Sequence, residues 1–188
     1  MSILKQWIKK SKASIFDPKG FYGDMKSSSS YKVPLNFVGT SAAIISLFLA
    51  VLSFFLNLSS IKSGLSSFVA VFFFMFSLSL IGFLTEAFTT HIFTKLLGGK
   101  KTFETSLEVL SYPSVLVIIF GLIPGLNILT GLYYIYVSSI GLASLQEISH
   151  GKAVAAILLG GIFSWIPIII LLIIMGGAIG GIAVLLGA

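Results

Sequence analysis

The residues able to do acid, base or metal chemistry in this chain are few: six carboxylates and two histidines, with no cysteine. Glu86 stands out because it lies inside or at the edge of an apolar run. An ionisable group at mid-helix costs at least about 2.5–3.5 kcal/mol on insertion scales, so it reads as a proton or cation site, or as a lysine's partner, unless it reaches water. Glu86 is the twenty-second residue of its run, and ~20 residues already cross the hydrocarbon core, which favours an interfacial position. Glu147 and His150 share one helix face through their i, i+3 spacing, a pattern that holds metal when two such pairs meet. Only one pair exists, and His91 is the sole other imidazole. A three-ligand set of His91, Glu147 and His150 is conceivable, but isolated polar loop residues are far commoner. No metal and no cofactor is expected. Gly98-Gly99-Lys100 lacks the strand and the spaced first glycine of a phosphate loop, and reads instead as a helix stop with lysines at lipid headgroups. No serine sits in a Gly-x-Ser-x-Gly elbow with an acid partner. The expectation is a protein that is not an enzyme.

Composition dictates what must position these groups. Of 188 residues, 56% are hydrophobic and 10% charged, with mean hydropathy +1.07. Soluble domains carry about 25% charged residues, so the bilayer must be the solvent. The net charge of +6 comes from twelve lysines, with no arginine. Seven lie in residues 1–33, beside the first apolar run rather than spread over a nucleic-acid face. Such a segment is a topology signal with affinity for anionic headgroups. The first long apolar run starts only after Pro34, too late for a cleavable signal peptide.

The expected fold is all-α: a polytopic bundle with spans near 35–58, 65–90, 107–123, 126–145 and 153–175. Residues 1–33 form a basic amphipathic interfacial segment and linker, and 34–188 the membrane domain. Ile3, Leu4, Trp7 and Ile8 recur at helical spacing among lysines, as in a helix lying on a leaflet. Thr105 and Glu108 fit a capping box that would start the third helix. Pro113 should kink that helix and Pro167 the last one. Residues 176–188 have no assigned place. Five spans with a cytoplasmic amino terminus put eleven of twelve lysines on the inner side, leaving Lys62 outside. A four-span alternative folds the third and fourth runs into a hairpin that does not cross, with Pro124-Gly125 closing it. Gly121 with Gly125, and Gly176 with Gly180, are Gly-x-x-x-Gly pairs suited to helix packing within or between protomers. Tyr133, Tyr134 and Tyr136 read as interfacial anchors.

The polar loops carry a family resemblance. His91-Ile92-Phe93-Thr94-Lys95-Leu96-Leu97-Gly98-Gly99-Lys100-Lys101-Thr102-Phe103 and Leu110-Ser111-Tyr112-Pro113 resemble the loop and helix after the second span of Yip domain proteins. Ile123-Pro124-Gly125, Ile140-Gly141-Leu142, Ile148-Ser149-His150-Gly151-Lys152-Ala153, and Asp17-Pro18-Lys19-Gly20-Phe21-Tyr22 before Val33-Pro34-Leu35 are similar in order and spacing. The resemblance implies five spans, a cytoplasmic amino terminus and no enzyme activity. Its eukaryotic members are Golgi and endoplasmic reticulum proteins that interact with prenylated Rab-type GTPases and with each other. No long acidic segment or Asp-Leu-Tyr-Gly-Pro motif accompanies these pieces, so the chain looks like a prokaryotic member.

The expectation is a multi-pass protein of the cell membrane that organises or recruits partners at the cytoplasmic leaflet. Candidate contacts are His91, Lys95, Gly98, Gly99, Lys100, Lys101, Phe103, His150 and Lys152. Glu86 and Tyr112 are the candidate intramembrane polar groups. The expected partners are membrane lipids with anionic headgroups, a protein partner or a second copy, and no nucleic acid. The alternative is a small transporter or channel for an ion or solute.

Overall fold

A computed structural model describes residues 3–25, 30–121 and 123–185; of the side chains of Ile3, Ile168, Leu171, Leu172 and 174–185 nothing is said. The described residues are helical throughout, without strands: α1 (Ile3–Phe16), α2 (Pro18–Gly23), α3 (Lys32–Leu56), α4 (Ile61–Leu96), α5 (Phe103–Ser111), α6 (Ser114–Phe120), α7 (Leu126–Gln146) and α8 (His150–Leu185). α3, α4, α7 and the His150–Pro167 part of α8 are each long and apolar enough to cross a membrane. α5 and α6 meet the same test only together, bent by 46° at their junction. The bundle therefore has four candidate spans, or five if the bent pair is one. The serine-rich linker stretch Lys26-Ser27-Ser28-Ser29 and the packing of Gly176 and Gly180 lie outside the described residues.

Local chemistry explains the ends. Asp17 caps α2, its carboxylate accepting the Gly20 amide at 3.0 Å with Pro18 in the first turn, where a missing amide costs nothing. α4 starts in a capping box between Ser60 and Ser63. The box expected at Thr105 and Glu108 is absent. α5 begins three residues earlier, with Thr102 at the cap position, and Thr105 and Glu108 are buried inside the helix. The last helix runs from His150 to Leu185 with Pro167 inside it.

Pro113 breaks the helix between α5 and α6. It offers no amide to the carbonyl four residues back, that of Val109, and its ring crowds the same place. The orphaned oxygen is buried, and Tyr22 satisfies it: the Tyr22 hydroxyl donates to the Val109 carbonyl at 2.9 Å. Tyr22 is itself only 1% exposed. Its ring lies on Gly141, where a Cβ would come within 2.7 Å of it. The amino-terminal segment thus plugs the kink of α5–α6 against α7.

α1 docks in the same region. Trp7 donates from Nε1 to the Ser41 hydroxyl at 2.8 Å and packs on Phe37. Tyr133 donates from α7 to the Ile15 carbonyl. Leu4, Ile8 and Phe16 remain exposed. One edge of the amphipathic helix is therefore bound to the bundle, and another faces outward.

The bundle is sparse, as hydrocarbon permits. Only 6% of the most apolar window of α4 is buried within the protein, and Phe48, Phe55, Phe73, Phe74, Leu129, Ile162 and Trp165 are exposed. In water such a surface would drive aggregation; facing acyl chains it costs nothing. α4 and α8 cross closely at Gly160, where a Cβ would lie 2.5 Å from the Thr90 Cα. Thr89 donates to the Gly160 carbonyl at 2.8 Å across this crossing. Within the chain, Gly121 and Gly125 play another part than the packing expected of them. Gly121 ends α6 against its own Val117 turn, and Gly125 is a left-handed turn residue (φ 86°) with open space at its Cβ position.

Candidate functional site

The polar end of the bundle is built from two loops that the chain separates by more than forty residues. The α4–α5 loop holds Gly98 to Thr102, and the α7–α8 turn holds Glu147 to Ser149. α4 ends as its last amides double back: Gly98 donates to Lys95 and Gly99 to Thr94, with Gly98 left-handed at φ 98°. The Gly99 position is filled from both sides, since a Cβ would meet Thr94 Cγ2 at 2.6 Å and Gln146 Oε1 at 3.1 Å. Only glycine lets the two loops close here.

Gln146 is the pin. Fully buried at the last turn of α7, it accepts the Lys101 amide on Oε1 at 2.9 Å and donates from Nε2 to Ser106 Oγ at 2.9 Å. Its backbone carbonyl accepts the Lys100 amide at 3.2 Å. Ser106 also meets His91 Nδ1 at 2.9 Å. Outside this buried set, Glu147 takes Lys100 Nζ at 3.0 Å on Oε2 and Lys101 Nζ at 2.9 Å on Oε1. Glu147 occupies the left-handed region at φ 57°, which costs a side-chain-bearing residue roughly 1–2 kcal/mol relative to glycine. The two lysines beside it, Lys101 first, hold its carboxyl below the usual carboxylate range.

The expected contact residues divide accordingly. Gly98, Gly99, Lys100 and Lys101 form one lip, and Lys152 reaches it, its Nζ 3.9 Å from where a Gly98 Cβ would stand. Phe103 packs edge-on against His91 and Phe88, and tilted against Tyr31. Lys95 and His150 are exposed at the same end. The three-ligand metal set does not assemble: His91 is engaged by Ser106 and Glu147 by two lysines, and no group of three or more metal-ligating side chains occurs among the described residues.

Tyr112 lies at the kink, fully buried. Its hydroxyl donates to Glu108 Oε1 at 2.9 Å and accepts from Lys10 Nζ at 3.0 Å, and the ammonium also lies 4.9 Å from the Tyr112 ring centroid. Phe21 and Phe37 meet the ring edge-on. Lys10, on the amino-terminal helix, is thus the cation of a relay ending on a buried carboxyl.

Residues 12–166 match the Yip1 domain family. The chain belongs to it. No curated protein and no solved structure matches the chain. The Yip1 domain family is one of multi-pass membrane proteins and is in general non-catalytic. The matched region takes in α2, the α5–α6 kink and both loops of the polar end, so Gln146 and Tyr22 lie within the matched domain. Sequence reading missed both residues. A tyrosine and a glutamine have no periodic signature, and their partners are 87 and 40 residues away. Tyr134, expected at an interface, is buried on α7 facing Glu86; Tyr133 and Tyr136 are more exposed.

Proposed function

We propose that this Yip1 domain protein recruits or organises partners at its lysine-bearing end, with that end and the amino terminus cytoplasmic. The reading is supported above all by the pinned pair of loops. Exposed lysines on a flexible loop lose much of any binding energy to ordering. Here Gln146 and Glu147 hold Lys100 and Lys101 in place before a partner arrives. Lys152 and the lysines of α1 add positive charge, which draws anionic headgroups at about 1 kcal/mol per lysine near the surface. The cell membrane and the cytoplasmic orientation rest on the positive-inside distribution of lysines.

Site-specific photo-crosslinkers at His150 and Lys95 in native membranes test this reading. A discrete protein adduct that disappears with Lys100→Glu plus Lys101→Glu is the expected result. Adducts only to lipid, unchanged by the charge reversal, would remove partner recruitment.

A second reading, a small transporter or channel, is favoured by Glu86, which two clefts reach. Proton and ion flux in liposomes, compared between the native protein and Glu86→Gln, decides it. Flux that is lost with the substitution counts for transport and against recruitment.

A further inference from the structure

Glu86 lies where α4 faces α7 and α8. One cleft of about 440 Å³ leads to it past Tyr134, Ile157 and Trp165. Another, about 410 Å³, runs along α4 from Glu86 through Gly82 to Leu78, again with Trp165 on its wall. The first is lined mainly by apolar side chains and opens among exposed Leu158, Ile162 and Trp165; the second, with Ser164 also on its wall, opens beside exposed Leu78 and Trp165. Their entrances therefore face acyl chains rather than water.

Among the described residues no ion pair reaches Glu86. The Tyr134 hydroxyl, on a side chain 6% exposed, faces Glu86 and Ser138 yet makes no hydrogen bond of ordinary geometry, and neither does the Ser138 hydroxyl. The buried Tyr134 and Ser138 hydroxyls thus keep unspent hydrogen-bonding capacity, with Tyr134 facing the part-buried Glu86 carboxyl. Groups buried this way cost free energy unless something pairs with them. Trp165 stands beside the carboxyl on both clefts, and an indole face attracts cations.

Depth agrees with a headgroup. From Lys62 to Glu86 is 24 residues of continuous helix, or about 36 Å at helical rise. With Lys62 at one surface, that crosses a core of about 30 Å and brings Glu86 to the far interface. The Gly82–Leu78 cleft then runs from the carboxyl back toward the bilayer centre, the direction an acyl chain takes from its headgroup.

We propose that Glu86, Tyr134 and Trp165 form a binding site for a membrane lipid with an ammonium headgroup. The ammonium donates to the Glu86 carboxylate and the Tyr134 oxygen and lies against the Trp165 ring. An acyl chain fills the cleft along Gly82 and Leu78. This site is separate from the lysine-bearing end, which attracts lipids of opposite charge.

The test uses the full chain in nanodiscs of mixed phosphatidylethanolamine and phosphatidylglycerol, with bound lipid counted by native mass spectrometry. The native protein should retain phosphatidylethanolamine in preference, and Glu86→Gln should lower that preference about tenfold, as expected when one charge-assisted pair is lost. Trp165→Leu should lower it less. Thermal unfolding of each variant identifies any that is misfolded, and Tyr134→Phe, which keeps the ring, supplies an independent arm expected to weaken retention. Equal retention by the native protein and Glu86→Gln would overturn the proposal. So would full displacement of the lipid by soluble ethanolamine, which would mean that the site takes a free amine. Flux lost with Glu86→Gln alongside unchanged lipid retention would leave transport standing and this proposal refuted.

Discussion

Replacing Tyr22 by phenylalanine should expose how the α5–α6 kink is stabilised. The change removes one oxygen and leaves a ring of the same shape on Gly141, so packing is preserved. What is lost is the donor to the Val109 carbonyl at 2.9 Å, and Val109 is fully buried. Leaving a buried acceptor without a partner costs about 1–3 kcal/mol. The carbonyl is free in the first place because Pro113 has no amide to give it. Pro113→Ala restores that donor, so in a Pro113→Ala background Tyr22→Phe should cost less than about 0.5 kcal/mol, a coupling within the range seen for residues sharing one partner. The four proteins are compared by reversible unfolding in bicelles, followed by Trp7 fluorescence, since Trp7 packs on Phe37 beside the kink. Equal costs of Tyr22→Phe in both backgrounds would refute the reasoning, because the hydroxyl would then be stabilising something other than the carbonyl that proline orphans.

Other expectations follow from the same contacts. Gln146→Ala leaves the Lys101 amide without its acceptor and Ser106 with His91 alone, and should destabilise by about 1–3 kcal/mol, with exchange at the Lys101 amide accelerated at least about five-fold; exchange within a factor of about two of native would remove Gln146 as the pin. At the α4–α8 crossing, Gly160→Val should cost about 1–3 kcal/mol or more through overpacking, whereas Gly161→Ala, with open space at its Cβ position, should be tolerated; the pair is read by thermal unfolding. The Glu147 carboxyl is held below its ordinary value of 4.5 by Lys101 and Lys100, so its contribution is complete above that value and disappears as pH falls through the lower, folded-state value. Protease cutting at the Lys100–Lys101 loop should rise on acidification in the native protein and be pH-independent in this respect in Glu147→Gln.

Part of the site was legible in the residues themselves. Gly98-Gly99 announced a left-handed helix stop, Pro113 a kink and Pro124-Gly125 a turn, since each is a local backbone restriction. Thr105 and Glu108 read as a capping box because Thr-x-x-Glu spacing fits any helix; their burial within α5, with Glu108 accepting from Tyr112, decided otherwise. Trp7 and Ile8 had the periodicity of a leaflet-bound helix, and periodicity does not distinguish a lipid surface from the flank of a neighbouring helix. Tyr134 had no signal separating it from Tyr133 and Tyr136: one step along a helix turns a side chain by about 100°, and only the neighbours reveal which of the three points inward.

The medium, and a count of four or five candidate crossings, followed from composition and run length, because hydrocarbon admits only long apolar stretches whose backbone bonds close within each helix. The tertiary structure alone decided which polar groups meet. Gln146 finds Lys101, Tyr22 finds Val109 and Tyr134 finds Glu86 across gaps set by how helices pack, and packing inside a bilayer turns on close approach at residues such as Gly160 rather than on hydrophobicity, because acyl chains are as apolar as the side chains they meet.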